Sequence, residues 1–148
     1  MSTSIRRIRY KYAAAAVAAL ALAGIILQPS PASATNWWVG SWNISSSGWC
    51  GSSGDACLFY SPNAQNGHWR GWNTSNLSGA VFSGSGYGVG APVRNDAASV
   101  EDASDGCNVK VWVYPGWVGN SNGVGPLRGG NLNSALRNNE ASIDFECP

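Results

Sequence analysis

Apolar residues beyond residue 35 come in short bursts, broken at close intervals by Gly, Asn, Ser and Pro, and the bursts read as strands. Asn108-Val109-Lys110-Val111-Trp112-Val113-Tyr114 alternates well enough for a strand and is turned by Pro115-Gly116. Cys57-Leu58-Phe59-Tyr60 is a shorter strand stopped at Ser61-Pro62-Asn63, with a turn at Asn66-Gly67 and His68 to Trp72 as its hairpin partner. Residues 73–92 are rich in Gly and Ser, with Val81, Phe82, Tyr87 and Val89 spaced for brief strands and no helical period. Asn120 to Gly130 reads as a polar loop, Leu132 to Leu136 as one short helical turn, and Ala141 to Cys147 as the closing strand. Such a series predicts an all-β sandwich or barrel with Greek-key connections.

Part of the pattern occurs twice. Val93-Arg94-Asn95-Asp96-Ala97-Ala98-Ser99-Val100-Glu101-Asp102 returns 43 residues later as Leu136-Arg137-Asn138-Asn139-Glu140-Ala141-Ser142-Ile143-Asp144-Phe145, with Arg, Asn, Ala and Ser identical at matching places. A unit that cannot bury its apolar face alone becomes stable when a sister packs against it, so a duplicated β unit is predicted. Repeat one spans about residues 50–102 and repeat two about 107–147, preceded by a Trp-rich arm at 35–49 that packs its aromatics on the domain. Function is to be sought where the copies meet, or in the loops that differ.

The first residues belong to a different problem. Arg6, Arg7, Arg9 and Lys11 precede an apolar run from Ala13 to Leu27, then Pro29, Pro31 and the small residues Ala32-Ser33-Ala34. That order is a secretory signal peptide, residues 1–34, whose removal leaves Thr35 first. The apolar run is short for a bilayer span, which needs about 20 residues. An extracellular protein without a membrane anchor is expected. Four of the nine basic residues leave with the leader, so five remain against all eight acids, a balance of −3. Nucleic-acid binding would want a basic face and gains no support. Residues 35–148 have the length of one domain, expected to be a monomer.

All four cysteines, Cys50, Cys57, Cys107 and Cys147, lie in the exported part and read as two disulfides. Three pairings are open. The breaks between Cys50 and Cys57 let that segment fold back, which favours Cys50 with Cys57 and leaves Cys107 with Cys147 to tie the ends of repeat two. Zinc is disfavoured by the absence of a C-x-x-C pair and by a single histidine, His68.

Trp112-Val113-Tyr114-Pro115-Gly116-Trp117-Val118-Gly119 resembles the βγ-crystallin Greek-key signature of aromatic, four residues, aromatic, one residue, Gly. Repeat one fits loosely, with Tyr60, Gln65 and Gly67 in those places. The stretch from Cys50 to Gly67 is similar to the opening of the secreted actinobacterial peptidase-inhibitor family I36, whose founding member inhibits a metalloproteinase on a crystallin-like fold. The resemblance covers residues 50–147. It implies a βγ-crystallin-like sandwich of two Greek keys and a secreted inhibitor of an extracellular peptidase.

The same resemblance implies a calcium site. Crystallin-like domains that bind this ion carry Asn/Asp, Asn/Asp, two spacers, Ser/Thr, then Ser in each repeat. Asn95, Asp96, Ala97 and Ser99 match in repeat one, and Asn138, Asn139, Glu140 and Ser142 in repeat two; Val100 and Ile143 replace the final Ser. A hard cation wants six to eight oxygens, which carboxylates, amides, hydroxyls and loop carbonyls from two repeats supply. The alternative is that each Ser ties its backbone to a neighbouring hairpin.

Catalysis finds no base for a nucleophile except His68, set between Gly67 and Trp69 as a half-exposed strand residue. Asp144 and Glu146 share one strand face, most simply the solvated one. The chain is therefore read as a non-enzyme. Two other readings compete with inhibition: a carbohydrate-binding module using Trp37, Trp38 and Trp42, and a calcium-stabilised structural or toxin-like domain. The inhibitor reading draws its contact from Asn120 to Gly130 or from Ser83 to Ala91, held rigid by sandwich and disulfides.

Overall fold

The computed structural model describes residues 36–40, 42–44, 50 and 54–148. The leader read at 1–34, Trp49 and the side chain of Trp37 lie outside them. Among the described residues nine strands follow in order: β1 Asn36–Trp38, β2 Trp42–Asn43, β3 Ala56–Ser61, β4 Gln65–Gly71, β5 Ser99–Asp102, β6 Asn108–Tyr114, β7 Val118–Val124, β8 Arg128–Asn131 and β9 Ser142–Glu146. They form two sheets, ordered β1-β7-β6-β9 and β2-β8-β5-β3-β4.

Each repeat lends a segment to the other's sheet. In repeat two the hairpin β6-β7 and the closing strand β9 stay together, while β8 crosses to pair with β5 of repeat one. Repeat one returns the exchange in shorter form, since its Thr74 bridges Ile143 of β9. This is two Greek keys related by a pseudo-twofold axis, and neither sheet is complete without the other copy.

Between the sheets, alternate residues meet. Leu58 and Val100 face Val109, Val111 and Ile143, with Leu77, Phe82, Leu132 and Leu136 closing the ends, all at 2% exposure or less. Each fully buried side chain of this size contributes about 1.5–3 kcal/mol. A small core gains from cross-links, and both favoured disulfides are present, Cys50–Cys57 and Cys107–Cys147. The second closes the ladder end where Asn108 pairs with Glu146.

Several sequence expectations are corrected. The first hairpin turns at Pro62–Ala64, not at Asn66-Gly67, which lie inside β4. Asn120 to Gly130 is not a loop: most of it belongs to β7 and β8, because Ser121 and Asn122 are buried in cross-strand pairing with Trp112 and Val111. Residues 73–92 hold only isolated bridges, at Thr74, Ser83 and between Val81 and Pro92, and a single 3-10 turn, Leu77–Gly79. Leu132 to Leu136 opens a turn, pinned where Asn133 Oδ1 accepts the N–H groups of Ala135 and Leu136, and no α-helix occurs among the described residues.

The crystallin signature in repeat one is also shifted by one residue. Phe59 pairs with Ser99 as Trp112 pairs with Ser142, so Phe59, Ala64 and Asn66 stand where Tyr60, Gln65 and Gly67 were expected. Backbone conformation confirms the register: Asn63, Ala64 and Asn66 have φ of 59°, 53° and 68°, and Gly116, Trp117 and Gly119 repeat the series at 76°, 61° and 90°. Asn tolerates the left-handed region nearly as Gly does, so the folded hairpin survives without its glycine.

The arm laces both sheets. Its β1 runs parallel to β7 and its β2 antiparallel to β8, with the Trp38 ring over Gly123 and the Trp42 ring over Gly129. Bare backbone at those two glycines lets each ring lie on its sheet.

Candidate functional site

The duplicated segments meet at the pseudo-twofold axis. Asn95 N–H donates to the Glu140 carbonyl and Asn138 N–H to the Ala97 carbonyl, both at 2.9 Å, so each loop is paired with its counterpart. The two serines do matching work. Ser99 Oγ donates to the Ser61 carbonyl at 2.7 Å and accepts Ala64 N–H at 3.1 Å; Ser142 Oγ donates to the Tyr114 carbonyl at 2.6 Å and accepts Trp117 N–H at 3.1 Å. Each hydroxyl thus ties the folded tip of its own hairpin.

Glu140 breaks the symmetry. Fully buried, its Oε1 accepts the N–H groups of Asp96 (3.0 Å) and Ala97 (2.8 Å), and its Oε2 that of Asn139 (3.1 Å). Burial pushes its carboxyl up to about 7, against the pull of those N–H groups towards the charged form. Repeat one has only the methyl of Ala97 at this position.

Of the predicted calcium ligands, the structure brings Asn95, Asp96, Ala97, Ser99, Asn138, Asn139, Glu140 and Ser142 into two facing loops. It commits several of them elsewhere. Both hydroxyls are bonded to the hairpins, Glu140 is turned inwards, and Asn139 Nδ2 donates to the Ala135 carbonyl. The oxygens left to face a cation are the Asp96 carboxylate, the side-chain oxygens of Asn95, Asn138 and Asn139, and loop carbonyls. Among the described residues no three acids, histidines or cysteines gather as a metal cluster. The set fits calcium in part, with one carboxylate where strong sites use several.

The loop that differs between repeats lies in repeat one. Ser99 reaches back 38 residues to Ser61, but Ser142 only 28 to Tyr114, so repeat one carries ten more residues between hairpin and closing strand. That interval holds Ser83 to Ala91, which is pinned along β4. His68 and Ser83 exchange backbone bonds at 2.9 and 2.8 Å, Gly67 N–H donates to the Tyr87 carbonyl at 2.9 Å, and Tyr87 N–H reaches Asn66 Oδ1 at 3.3 Å. Gly86 and Gly88, at φ of 89° and 78°, let the backbone close on Asn66 and on the Tyr60 ring. Between them Tyr87 is 80% exposed, more than any other large apolar side chain among the described residues.

No signal in the sequence singled out Tyr87, because Gly-x-Gly spacing marks a loop without saying where it lies. His68 is half-buried beneath this loop, its pKa lowered by burial and then by Arg70. Asp144 and Glu146 do share the outward face of β9.

No protein-family model matches the chain. No curated protein is similar to it in sequence. Among solved structures, it is similar to a βγ-crystallin domain studied for the evolution of the eye-lens fold, at 12% identity, 69% of this chain, 94% of that one and a TM-score of 0.55. The N-terminal domain of Protein S matches at 17% identity over 63% and 96% of the two chains, TM-score 0.46. A βγ-crystallin domain from Flavobacterium johnsoniae matches at 14% over 62% and 93%, TM-score 0.44. With its strands in two sheets and a likeness to the first of these over 94% of that chain, the chain has the βγ-crystallin domain fold.

Proposed function

We propose that this chain is a secreted, non-catalytic inhibitor of an extracellular peptidase and that Ser83 to Ala91 is its contact, with Tyr87 as the anchor. One observation carries the reading: the segment Ser83 to Ala91 is tied to β4 at Ser83 and at Tyr87 and back onto Phe82 at its end, and still presents its tyrosine largely to solvent. A loop already rigid loses little entropy on docking, where each newly immobilised side chain costs about 0.5–1.5 kcal/mol. Tyrosine supplies large contact area on few rotatable bonds and is enriched among residues that dominate binding. Two disulfides suit an oxidising, extracellular setting.

The test is a panel of secreted metallo- and serine peptidases assayed with the protein lacking residues 1–34. Inhibition of one of them, weakened at least tenfold by Tyr87→Ala, is expected. No inhibition across the panel, or inhibition indifferent to Tyr87→Ala, would remove the proposal. Calcium enters this reading as a weak ligand of the paired loops, held by Asp96 and the neighbouring amide oxygens.

A further inference from the structure

The outward face of the sheet β1-β7-β6-β9 carries a second surface that inhibition does not use. Val109, Val111, Val124, Ile143 and Phe145 point inwards to the core, so the residues between them point out. Trp38, Gly123, Lys110 and Asp144 are successive partners across the four strands, and Trp112 lies one row further along. A Cβ on Gly123 would come within 2.8 Å of the Trp38 ring, so that ring lies against bare backbone with 61% of the residue exposed. Trp112 is held in place by its indole N–H, which donates to Asp144 Oδ1 at 2.6 Å.

Lys110 stands on the same strand as Trp112, in the row of Trp38. Its side chain is only 11% exposed although it is on the outer face; it pairs with Glu146, and its Nζ lies 5.6 Å from the Trp112 ring centroid. Two strand spacings of about 4.8 Å and a two-residue offset of about 6.8 Å set the Trp38 and Trp112 backbones about 12 Å apart. The result is a sheet face with the Trp38 ring on one edge strand, Lys110 and Trp112 on the third strand, and the Asp144 and Glu146 carboxylates on the opposite edge strand.

We infer that this face binds a neutral oligosaccharide. The axial C–H groups of a pyranose pack on an indole, and its equatorial hydroxyls hydrogen-bond to carboxylate oxygens and ammonium protons; the exposed Trp38 ring offers the first, and Asp144, Glu146 and Lys110 across the sheet offer the second. Two acids against one lysine leave the face negative, which repels uronic or sulfated glycans. The residues differ from those the sequence alone picks out. Trp38 belongs to the site, whereas Trp42 lies on the other sheet with its indole N–H bonded to Glu101 at 2.9 Å.

Isothermal titration and tryptophan fluorescence with cellohexaose, laminarihexaose and chitohexaose test the inference, with polygalacturonate as the acidic glycan. One of the neutral hexasaccharides is expected to bind, with affinity lowered at least tenfold by Trp38→Ala and severalfold by Asp144→Asn, folding being checked by circular dichroism. Trp72→Ala, at a ring stacked on Phe145 outside this row, leaves binding unchanged. The inference is overturned if none of the three binds, if Trp38→Ala and Asp144→Asn leave binding intact, or if polygalacturonate binds as tightly. Tyr87→Ala has no effect on glycan binding, so loss of the inhibitor reading and loss of this one are separable.

Discussion

Glu140 holds the backbone of its own counterpart: its Oε1 accepts the N–H of Ala97 at 2.8 Å, and Ala97 is the position that Glu140 fills in the other repeat. A duplicated fold would otherwise leave those N–H groups facing each other across the axis. One copy supplies an acceptor and the other leaves room for it, so the asymmetry is complementary.

Removing that acceptor strands the buried N–H of Ala97, while the N–H groups of Asp96 and Asn139 keep the Val93 and Leu136 carbonyls. Glu140→Ala is expected to cost about 2 kcal/mol, since an unsatisfied buried donor costs about 1–3 kcal/mol. Urea denaturation measures it. A change under about 0.5 kcal/mol, the range of ordinary surface substitutions, would show that the contact is incidental.

Burial also gives stability a pH dependence. The folded-state values are raised to about 7 for Glu140 and about 6 for Asp102, from 4.5 and 3.8. Between these limits the folded state binds more protons than the unfolded chain, so stability falls as pH rises. The contribution is present in full below about pH 4 and lost through pH 6 and 7, with about 3 kcal/mol from Glu140 as an upper bound. Melting temperature should therefore drop between pH 5 and pH 8. Glu140→Gln should flatten the upper part of that fall; an unchanged profile would assign the slope to other groups.

Ser99 and Ser142 make the same two bonds in the two repeats, so Ser99→Ala and Ser142→Ala should cost similar amounts, about 2 kcal/mol each. Costs differing severalfold would argue that only one hairpin tip depends on its hydroxyl.

Loop length separates the disulfides. Cys107–Cys147 spans 40 residues and Cys50–Cys57 spans 7, so chain entropy predicts losses of about 4 and about 2.5 kcal/mol on replacement by paired serines. Equal or reversed losses would mean that native-state packing outweighs loop closure.

Calcium should raise the melting temperature only at millimolar concentration, as expected of a site with one carboxylate, and Asp96→Asn should abolish the rise. A rise at micromolar calcium, or one matched by magnesium, would contradict that donor set.

Legibility followed range. Alternation in Asn108 to Tyr114, the recurrence around Asn95 and Asn138, and the spacing of four cysteines are properties of neighbours in sequence, and from them the all-β class, the duplication and the disulfide pairing could be read. The serine-to-hairpin ties were readable as one of two alternatives, because Ser in a turn commonly bonds nearby backbone. Distant partners decided the remainder. Asn120 to Gly130 looks like a loop until Trp112 and Val111 are beside it. Ala64 and Asn66 adopt left-handed backbone because the hairpin must fold onto Ser99, and Glu140 is a core residue only because Ala97 leaves it space. Local pattern specifies which residues prefer strand or turn; register, burial of a carboxyl group and the joining of Trp38 to Trp112 on one face arise only when segments remote in the chain are packed together.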